Sequence, residues 1–131
     1  TLAADTISVI NYTGAAAATM TLPAATAGTI VIYCQSKDTT GGTATLVFDA
    51  AGSDVWATGS VIESRGSSEV TFDTSAAGET KLTFTPANAA TNLLTTGGQI
   101  AFICYEDATW HIATKLAAET TQVTGAFVFA A

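Results

Sequence analysis

The residue best suited to acid–base chemistry is His111, the single histidine of the chain, which lies in the stretch ATWHIAT. A serine–histidine–aspartate triad needs this imidazole beside a hydroxyl group and a carboxylate. Serine and aspartate are plentiful, but the G-x-S-x-G turn that carries many nucleophilic serines does not occur. Since His111 follows Trp110 in a strand-like alternation, we interpret it as a strand histidine that faces solvent or a subunit contact, and we expect no catalytic role.

Carboxylates are the second group of residues that could take part in catalysis or bind a metal. Glu106 and Asp107 are adjacent, and Glu63 and Glu69 flank Gly66. Two carboxylates that face each other across a cleft hydrolyse glycosides. These acids lie at turns, where keeping the surface hydrated explains them more simply. The spacing of a calcium-binding EF-hand loop is also absent. We therefore expect no enzymatic activity and no metal site.

Glycine pairs occur at positions 41–42 and 97–98. A phosphate-binding loop needs glycines that open a helix and a lysine that follows them. Neither pair meets these conditions, so both are interpreted as hairpin turns and no cofactor is expected.

Cys34 and Cys104 are the two cysteines, and each lies in an apolar run of strand length. No second cysteine or histidine stands at metal-ligand spacing. The opening residues TLAADTISVI have neither the basic nor the hydrophobic region of a secretory signal. We therefore predict two reduced, buried thiols rather than a disulfide.

The charge balance excludes several classes of partner. Charged residues make up 11% of the 131 residues, and the formal net charge is −7. Nucleic-acid binding requires clustered basic residues, whereas the four here, Lys37, Arg65, Lys81 and Lys115, are scattered. We expect no nucleic acid and no anionic membrane as a partner. Apolar runs are also far shorter than the ~18 residues of a membrane span.

These residues must be positioned by strands, because β-branched residues alternate and turns recur about every 8–12 residues. The pattern predicts one all-β domain over residues 1–131, an antiparallel β-sandwich or jelly roll. The clearest hairpin joins 99–106 to 109–114 through a turn near Asp107. Helix is expected only as single turns, at 86–94 or 116–120. The other predicted strands are 6–11, 19–22, 29–36, 43–49, 70–72, 80–85 and 123–129.

Aromatic residues remain as candidates for recognition. Trp110 alternates in a predicted strand and is expected in the core. Trp56 stands among small residues in AAGSDVWATGS, which leaves two interpretations open: a plug of the core, or an anchor between subunits. With Tyr12, Tyr33 and Tyr105, the two tryptophans are also the residue types that form sugar-binding platforms.

A set of short motifs is spread over roughly residues 19–114: Leu22-Pro23-Ala24-Ala25-Thr26, Gly28, Tyr33, Ala51-Gly52-Ser53-Asp54, Thr58-Gly59 and Trp110-His111-Ile112. Together these motifs resemble those of a family of small virion proteins of tailed bacteriophages. The resemblance implies an all-β domain that serves as a head decoration (cement) protein, usually a trimer on the capsid exterior, or less often as a tail or fibre module.

From this resemblance we expect a non-enzymatic virion protein, made in the host cytoplasm and located on the outer surface of the capsid. Its partners would be the major capsid protein and further copies of itself, as a homotrimer. The alternative is a tail-fibre or receptor-binding module that contacts host carbohydrate through Trp56 or Trp110, and a hydrolase ranks last. The expected partner contacts lie in an N-terminal arm, in the Trp56 loop and in the apolar tail: Thr1, Leu2, Ala3, Ala4, Asp5, Trp56, Phe127, Val128 and Phe129.

Overall fold

The structure is a computed structural model that describes residues 7–12, 17–36, 45–65, 70–84, 98–116 and 127–131. These residues form eleven strands and no helix. In chain order the strands are β1 Ile7–Tyr12, β2 Ala18–Thr21, β3 Ile30–Gln35, β4 Leu46–Asp49, β5 Val55–Trp56, β6 Val61–Arg65, β7 Val70–Thr74, β8 Lys81–Phe84, β9 Gln99–Glu106, β10 Thr109–Leu116 and β11 Phe127–Ala130.

Two sheets pack face to face as a β-sandwich, which confirms the predicted fold class. The five-stranded sheet has the order β1-β3-β9-β10-β5, and the four-stranded sheet has the order β11-β8-β4-β2. Three strand pairs are parallel: β1 with β3, β2 with β4, and β10 with β5. The other pairs of the two sheets are antiparallel. Both sheets are therefore mixed. Parallel neighbours cannot be joined by a tight hairpin, so the chain must cross over between them.

The β6–β7 hairpin forms a third, two-stranded sheet that packs against β10 and β11. Its Ile62 is buried in the common core. The Asp73 carboxylate accepts a hydrogen bond from the backbone N–H of Phe129, with Oδ2 and N 2.6 Å apart. Ser75 is buried beside the hairpin, and its hydroxyl donates to the carbonyl of Ala57. The hairpin therefore connects the edges of the two larger sheets.

The core lies between the two larger sheets and is rich in aromatic rings. Tyr33 and Phe102 of the five-stranded sheet contact Phe48 of the four-stranded sheet, with centroid separations of 5.0 and 5.1 Å. The Tyr33 hydroxyl donates a hydrogen bond to the buried amide of Gln35. Rings at these separations add about 0.5–1.5 kcal/mol per pair beyond their burial. Both sheets are thus held by one aromatic layer.

Every strand predicted from the sequence corresponds, at least in part, to an observed strand. Four of the predicted strands include positions that lie outside the described residues: 6, 43–44, 85 and 123–126. The predicted hairpin is β9–β10, and Asp107 and Ala108 form its turn. Ala108 adopts a positive φ of 64° there. The possible helical turn at 86–94 lies outside the described residues. Leu116 is the last residue of β10, and 117–120 also lie outside them. Strands β5 and β6 were not predicted.

Candidate functional site

Trp56 is a core residue. Its exposed fraction is 0%, as is that of Trp110, its parallel neighbour across β5 and β10. The Trp56 ring contacts Phe102 at 5.4 Å and Phe129 at 5.8 Å between centroids. The expectation that Trp56 contacts a partner is therefore corrected, because its side chain presents no surface. A sugar platform built on the two indoles is excluded for the same reason.

Backbone hydrogen bonds hold the residues around Trp56 in place. The N–H of Trp56 donates to the Glu79 carbonyl, and the N–H of Ala57 donates to the Trp110 carbonyl, each at 2.8 Å. Gly59 has a positive φ of 83°, a conformation that favours glycine. A Cβ at Gly59 would meet no atom within 4 Å, so the backbone conformation and not close packing accounts for this glycine. Both indole Nε1 atoms are buried without a hydrogen-bond partner.

The expected contacts near the C-terminus divide by strand alternation. Phe127 and Phe129 point into the core with exposed fractions of 2% and 4%, so they are corrected from partner contacts to core residues. Val128 points outward and is 45% exposed. The remaining expected contacts, Thr1, Leu2, Ala3, Ala4 and Asp5, lie outside the described residues.

Three turns meet at one end of the sandwich, and two carboxylates hold them together. Asp54 Oδ2 accepts from the N–H of Ala25 at 2.6 Å, and Asp107 Oδ1 accepts from the N–H of Ala27 at 2.9 Å. The N–H of Ala108 donates to the Ala25 carbonyl at 2.8 Å. These acids therefore have a structural task, since they satisfy backbone donors that strands leave unpaired at their ends.

Cys104 lies beneath this cluster of turns as a buried free thiol. Burial raises the pKa of the Cys104 thiol, and the nearby charges of Asp54, Asp107 and Glu106 raise it further. A backbone hydrogen bond with Thr109 acts in the opposite direction. A protonated thiol is a poor nucleophile. Among the described residues, no three cysteine, histidine or acidic side chains group in a way that would hold a metal ion.

Cys34 is also a free thiol, but it is only half-buried. The prediction of two reduced thiols agrees with the structure, whereas the predicted burial holds for Cys104 and is wrong for Cys34. The cause is strand alternation. Val31, Tyr33 and Gln35 of β3 face the core, so Cys34 belongs to the outer face of the sheet.

His111 lies on the outer face of the five-stranded sheet. Its ring packs on that of Tyr105, with centroids 4.9 Å apart and planes tilted by 60°. Its Nε2 atom, the proton acceptor in a catalytic triad, is buried and has no hydrogen-bond partner. The arrangement is therefore not that of a triad. Tyr105 itself is 66% exposed.

The outer face also carries a group of aliphatic residues, next to the half-buried Cys34 and the exposed Gln99. In register, Val9 lies beside Ile32 and Ile32 beside Ala101, while Ile30 lies beside Ile103. Val9 is 63% exposed, and the other four side chains are half-buried. We call these five residues the aliphatic face: Val9, Ile30, Ile32, Ala101 and Ile103. None of them carries a charge or a hydrogen-bonding side chain.

The outer face of the four-stranded sheet is different. Two cross-strand rows of four residues cover it, and five of these eight residues are polar: three threonines and one pair of opposite charges that face each other. We call it the threonine face: Thr19, Val47, Thr83 and Val128 in one row, and Thr21, Asp49, Lys81 and Ala130 in the other. This composition is typical of a sheet surface in contact with water.

No protein-family model, curated protein or solved structure matches this chain. The described residues also contain no helix with the length and apolar composition to cross a membrane. The candidate site is therefore defined by geometry alone. It is the aliphatic face, together with the Tyr105–His111 pair beside it.

Proposed function

We propose that the chain is a non-enzymatic structural protein of a tailed-bacteriophage virion, which decorates the outside of the head and stabilises the shell. The observation that carries the proposal is the aliphatic face. A sheet surface without charges can meet another protein at little cost in desolvation. Such a face has a clear use in an assembly, and the described residues offer no catalytic arrangement that competes with it.

The mechanism is linkage. A protein that binds the assembled shell, and not the free subunits, stabilises the shell by the free energy of binding. Several copies joined to one another bind by avidity, so that weak individual contacts add. In this proposal the major capsid protein and other copies of the chain, as a homotrimer, are the partners. The site of action is the outer capsid surface, after synthesis in the host cytoplasm.

The rigid turns support such a role. Asp54 and Asp107 fix the exits of β2 and β9 through hydrogen bonds to Ala25 and Ala27. Binding to a pre-formed surface loses less conformational entropy than binding that must order a loop. A domain whose turns are already fixed at one end is suited to repeated docking on a lattice.

The test is immunogold electron microscopy on virions of the phage that encodes the chain, with an antibody raised against the purified protein. We expect gold over the heads. Gold confined to tail tips would replace the proposal by the tail-fibre alternative, for which Tyr105 is an exposed aromatic residue. Virions without gold would overturn both. A second measurement is the temperature at which emptied heads disassemble, which we expect to rise when the purified chain is added.

A further inference from the structure

We propose that the β6–β7 hairpin covers the outer edge of β11, and that Asp73 is the residue that keeps this edge from pairing with β11 of a second copy of the chain. This role is separate from the proposed function, because it concerns how one folded copy remains apart from the next. Two properties of the molecule carry it: the composition of β11, and the hydrogen bond that its backbone makes on the side away from β8.

The composition of β11 favours pairing with another strand. The stretch AFVFAA, residues 126–131, contains no charge, no proline and no glycine, and short apolar segments of this kind stack as strands between molecules. In the structure β11 lies at one edge of the four-stranded sheet, and β8 is its strand partner among the described residues. The strand at the other edge, β2, carries two threonines and is closely followed by Pro23, a residue type that prevents pairing at edges. Strand β11 has no such protection in its own sequence.

The outer edge of β11 packs against the β6–β7 hairpin. There the backbone N–H of Phe129 donates to Asp73, with N and Oδ2 2.6 Å apart. In the described part of the chain β7 pairs with β6 and not with β11, so this bond comes from a side chain and not from a strand ladder. One carboxylate thus occupies a backbone donor that an incoming strand would use.

The hairpin holds Asp73 in this position. Asp73 lies opposite Ile62 in the β6–β7 register, and residues opposite each other in an antiparallel pair share one face. Ile62 is buried in the common core, so this face is turned toward the sandwich. At the base of the hairpin, the Ser75 hydroxyl accepts from the N–H of Ser60 at 2.9 Å. These contacts do not involve the Asp73 carboxylate, so a substitution of Asp73 leaves them in place.

The experiment compares Asp73→Ala with Asp54→Ala in the full chain. The two carboxylates are matched, because each is half-buried and accepts a backbone N–H from a distant part of the chain at 2.6 Å. Asp54 acts at the turns, however, and not at a strand edge. Each substitution removes one negative charge and one hydrogen bond. Thermal melts by circular dichroism check that both variants fold, and light scattering with thioflavin T fluorescence follows association well below the melting temperatures. We expect Asp73→Ala to associate at least about tenfold faster than the unmodified chain, and Asp54→Ala to remain within about threefold of it.

A second substitution identifies the strand that associates. Val128→Lys places a charge on β11 at an exposed position, and lysine at a strand edge opposes pairing. We expect the double variant, Asp73→Ala with Val128→Lys, to associate as slowly as the unmodified chain, although its net charge is smaller in magnitude. Asp73→Asn is expected to behave like the unmodified chain, because its amide oxygen still accepts a hydrogen bond from Phe129.

Equal association of Asp73→Ala and Asp54→Ala would attribute the effect to lost stability and overturn the proposed role of Asp73. Rapid association of the double variant would overturn it as well, since another surface would then be responsible, and so would an Asp73→Ala variant that does not associate. If Asp73→Ala does not fold, the unmodified chain and Val128→Lys are compared just below the melting temperature. Slowing by Val128→Lys of at least about threefold supports the proposal, and an unchanged rate contradicts it.

Discussion

The two large sheets share one core but differ in their outer faces. The five-stranded sheet has apolar residues on both sides over part of its area: Val31 and Phe102 face the core, while Ile32 and Ile103 face outward. The four-stranded sheet is apolar on its inner side only. Its outward residues include Asp49 opposite Lys81. An apolar sheet face is normally covered, and for this reason the proposed function places the partner on the five-stranded sheet.

The sequence contains this difference as two kinds of strand. The stretches IVIYC of β3 and IAFICY of β9 are continuous apolar runs. KLTF of β8 instead alternates apolar with polar residues, and LVFD of β4 is a run of three apolar residues that ends at Asp49. A continuous run of strand length is typical of a strand buried on both faces. The structure shows that such a run also occurs in strands whose outward side chains are only half-buried, as are those of Ile30, Ile32 and Ile103.

The largest expected effect concerns the core that the two sheets share. Trp56 belongs to the five-stranded sheet and contacts Phe129 of the four-stranded sheet. Trp56→Ala leaves a large cavity between them, and we expect it to lower the free energy of unfolding by about 3–5 kcal/mol. Chemical denaturation followed by circular dichroism measures this loss.

Tyr105→Ala is the control, because this aromatic lies on the outer side of the same sheet and is 66% exposed. We expect it to change the free energy of unfolding by no more than about 0.5 kcal/mol. Equal losses for Trp56→Ala and Tyr105→Ala would show that the inner and outer sides of this sheet do not differ as described.

The next effect concerns the turns that lead from one sheet to the other. Ala25 lies between β2 of the four-stranded sheet and β3 of the five-stranded sheet, and its N–H donates to the half-buried Asp54. Asp54→Ala leaves that donor without its charged acceptor, so we expect a loss of about 1.5–3 kcal/mol in unfolding free energy. Asp107→Ala removes a similar bond to Ala27 that is exposed. Its expected loss is smaller, at most about 1 kcal/mol. The reverse order, measured by thermal melting, would contradict this account of the turns.

The sequence predicts the long strands well because their periodicity is a local property. Strands β3, β9 and β10 were found with bounds close to those observed. Strand β5 was missed because it has two residues, Val55–Trp56, within a stretch of glycine, serine and alanine. Its partner, β10, is more than fifty positions away in the chain, and local patterning carries no information about such a pairing.

The candidate site was less predictable than the fold. The alternation in β3 indicates two apolar faces but not which of them faces the core, and for this reason Cys34 was expected to be buried. The burial of Trp56 depends on Phe102 and Phe129, which come from distant strands. The aliphatic face likewise requires the order β1-β3-β9-β10. Composition pointed to a surface with few charges, but the place of the apolar patch follows only from the sheet order.

A moderate effect is expected when the two outer faces are made more alike. Ile32→Thr places a threonine on β3, the middle strand of the aliphatic face. Thr83→Ile places an isoleucine beside Val47 and Val128. We expect Ile32→Thr to elute earlier from a hydrophobic-interaction column and Thr83→Ile to elute later, since each substitution changes the exposed apolar area. If Ile32→Thr has no effect on retention, the aliphatic face is not accessible in solution.

The smallest effect concerns the reactivity of the two thiols, which lie on opposite sides of the five-stranded sheet. Cys34 is half-buried on the outer side and Cys104 is buried on the inner side. We expect a thiol reagent to modify one thiol rapidly in the native protein and the second only after denaturation, and we expect Cys34→Ser to abolish the rapid phase. Rapid modification of both thiols in the native protein would show that the inner side is open to solvent, and would remove the distinction between the two sides.

The buried thiol also predicts a pH dependence of stability. Burial raises the pKa of the Cys104 thiol, so the unfolded chain loses this proton at a lower pH than the folded chain. The free energy of unfolding should therefore fall as the pH rises above the usual thiol pKa of about 8.5. The Cys104 contribution to this slope should disappear in Cys104→Ala.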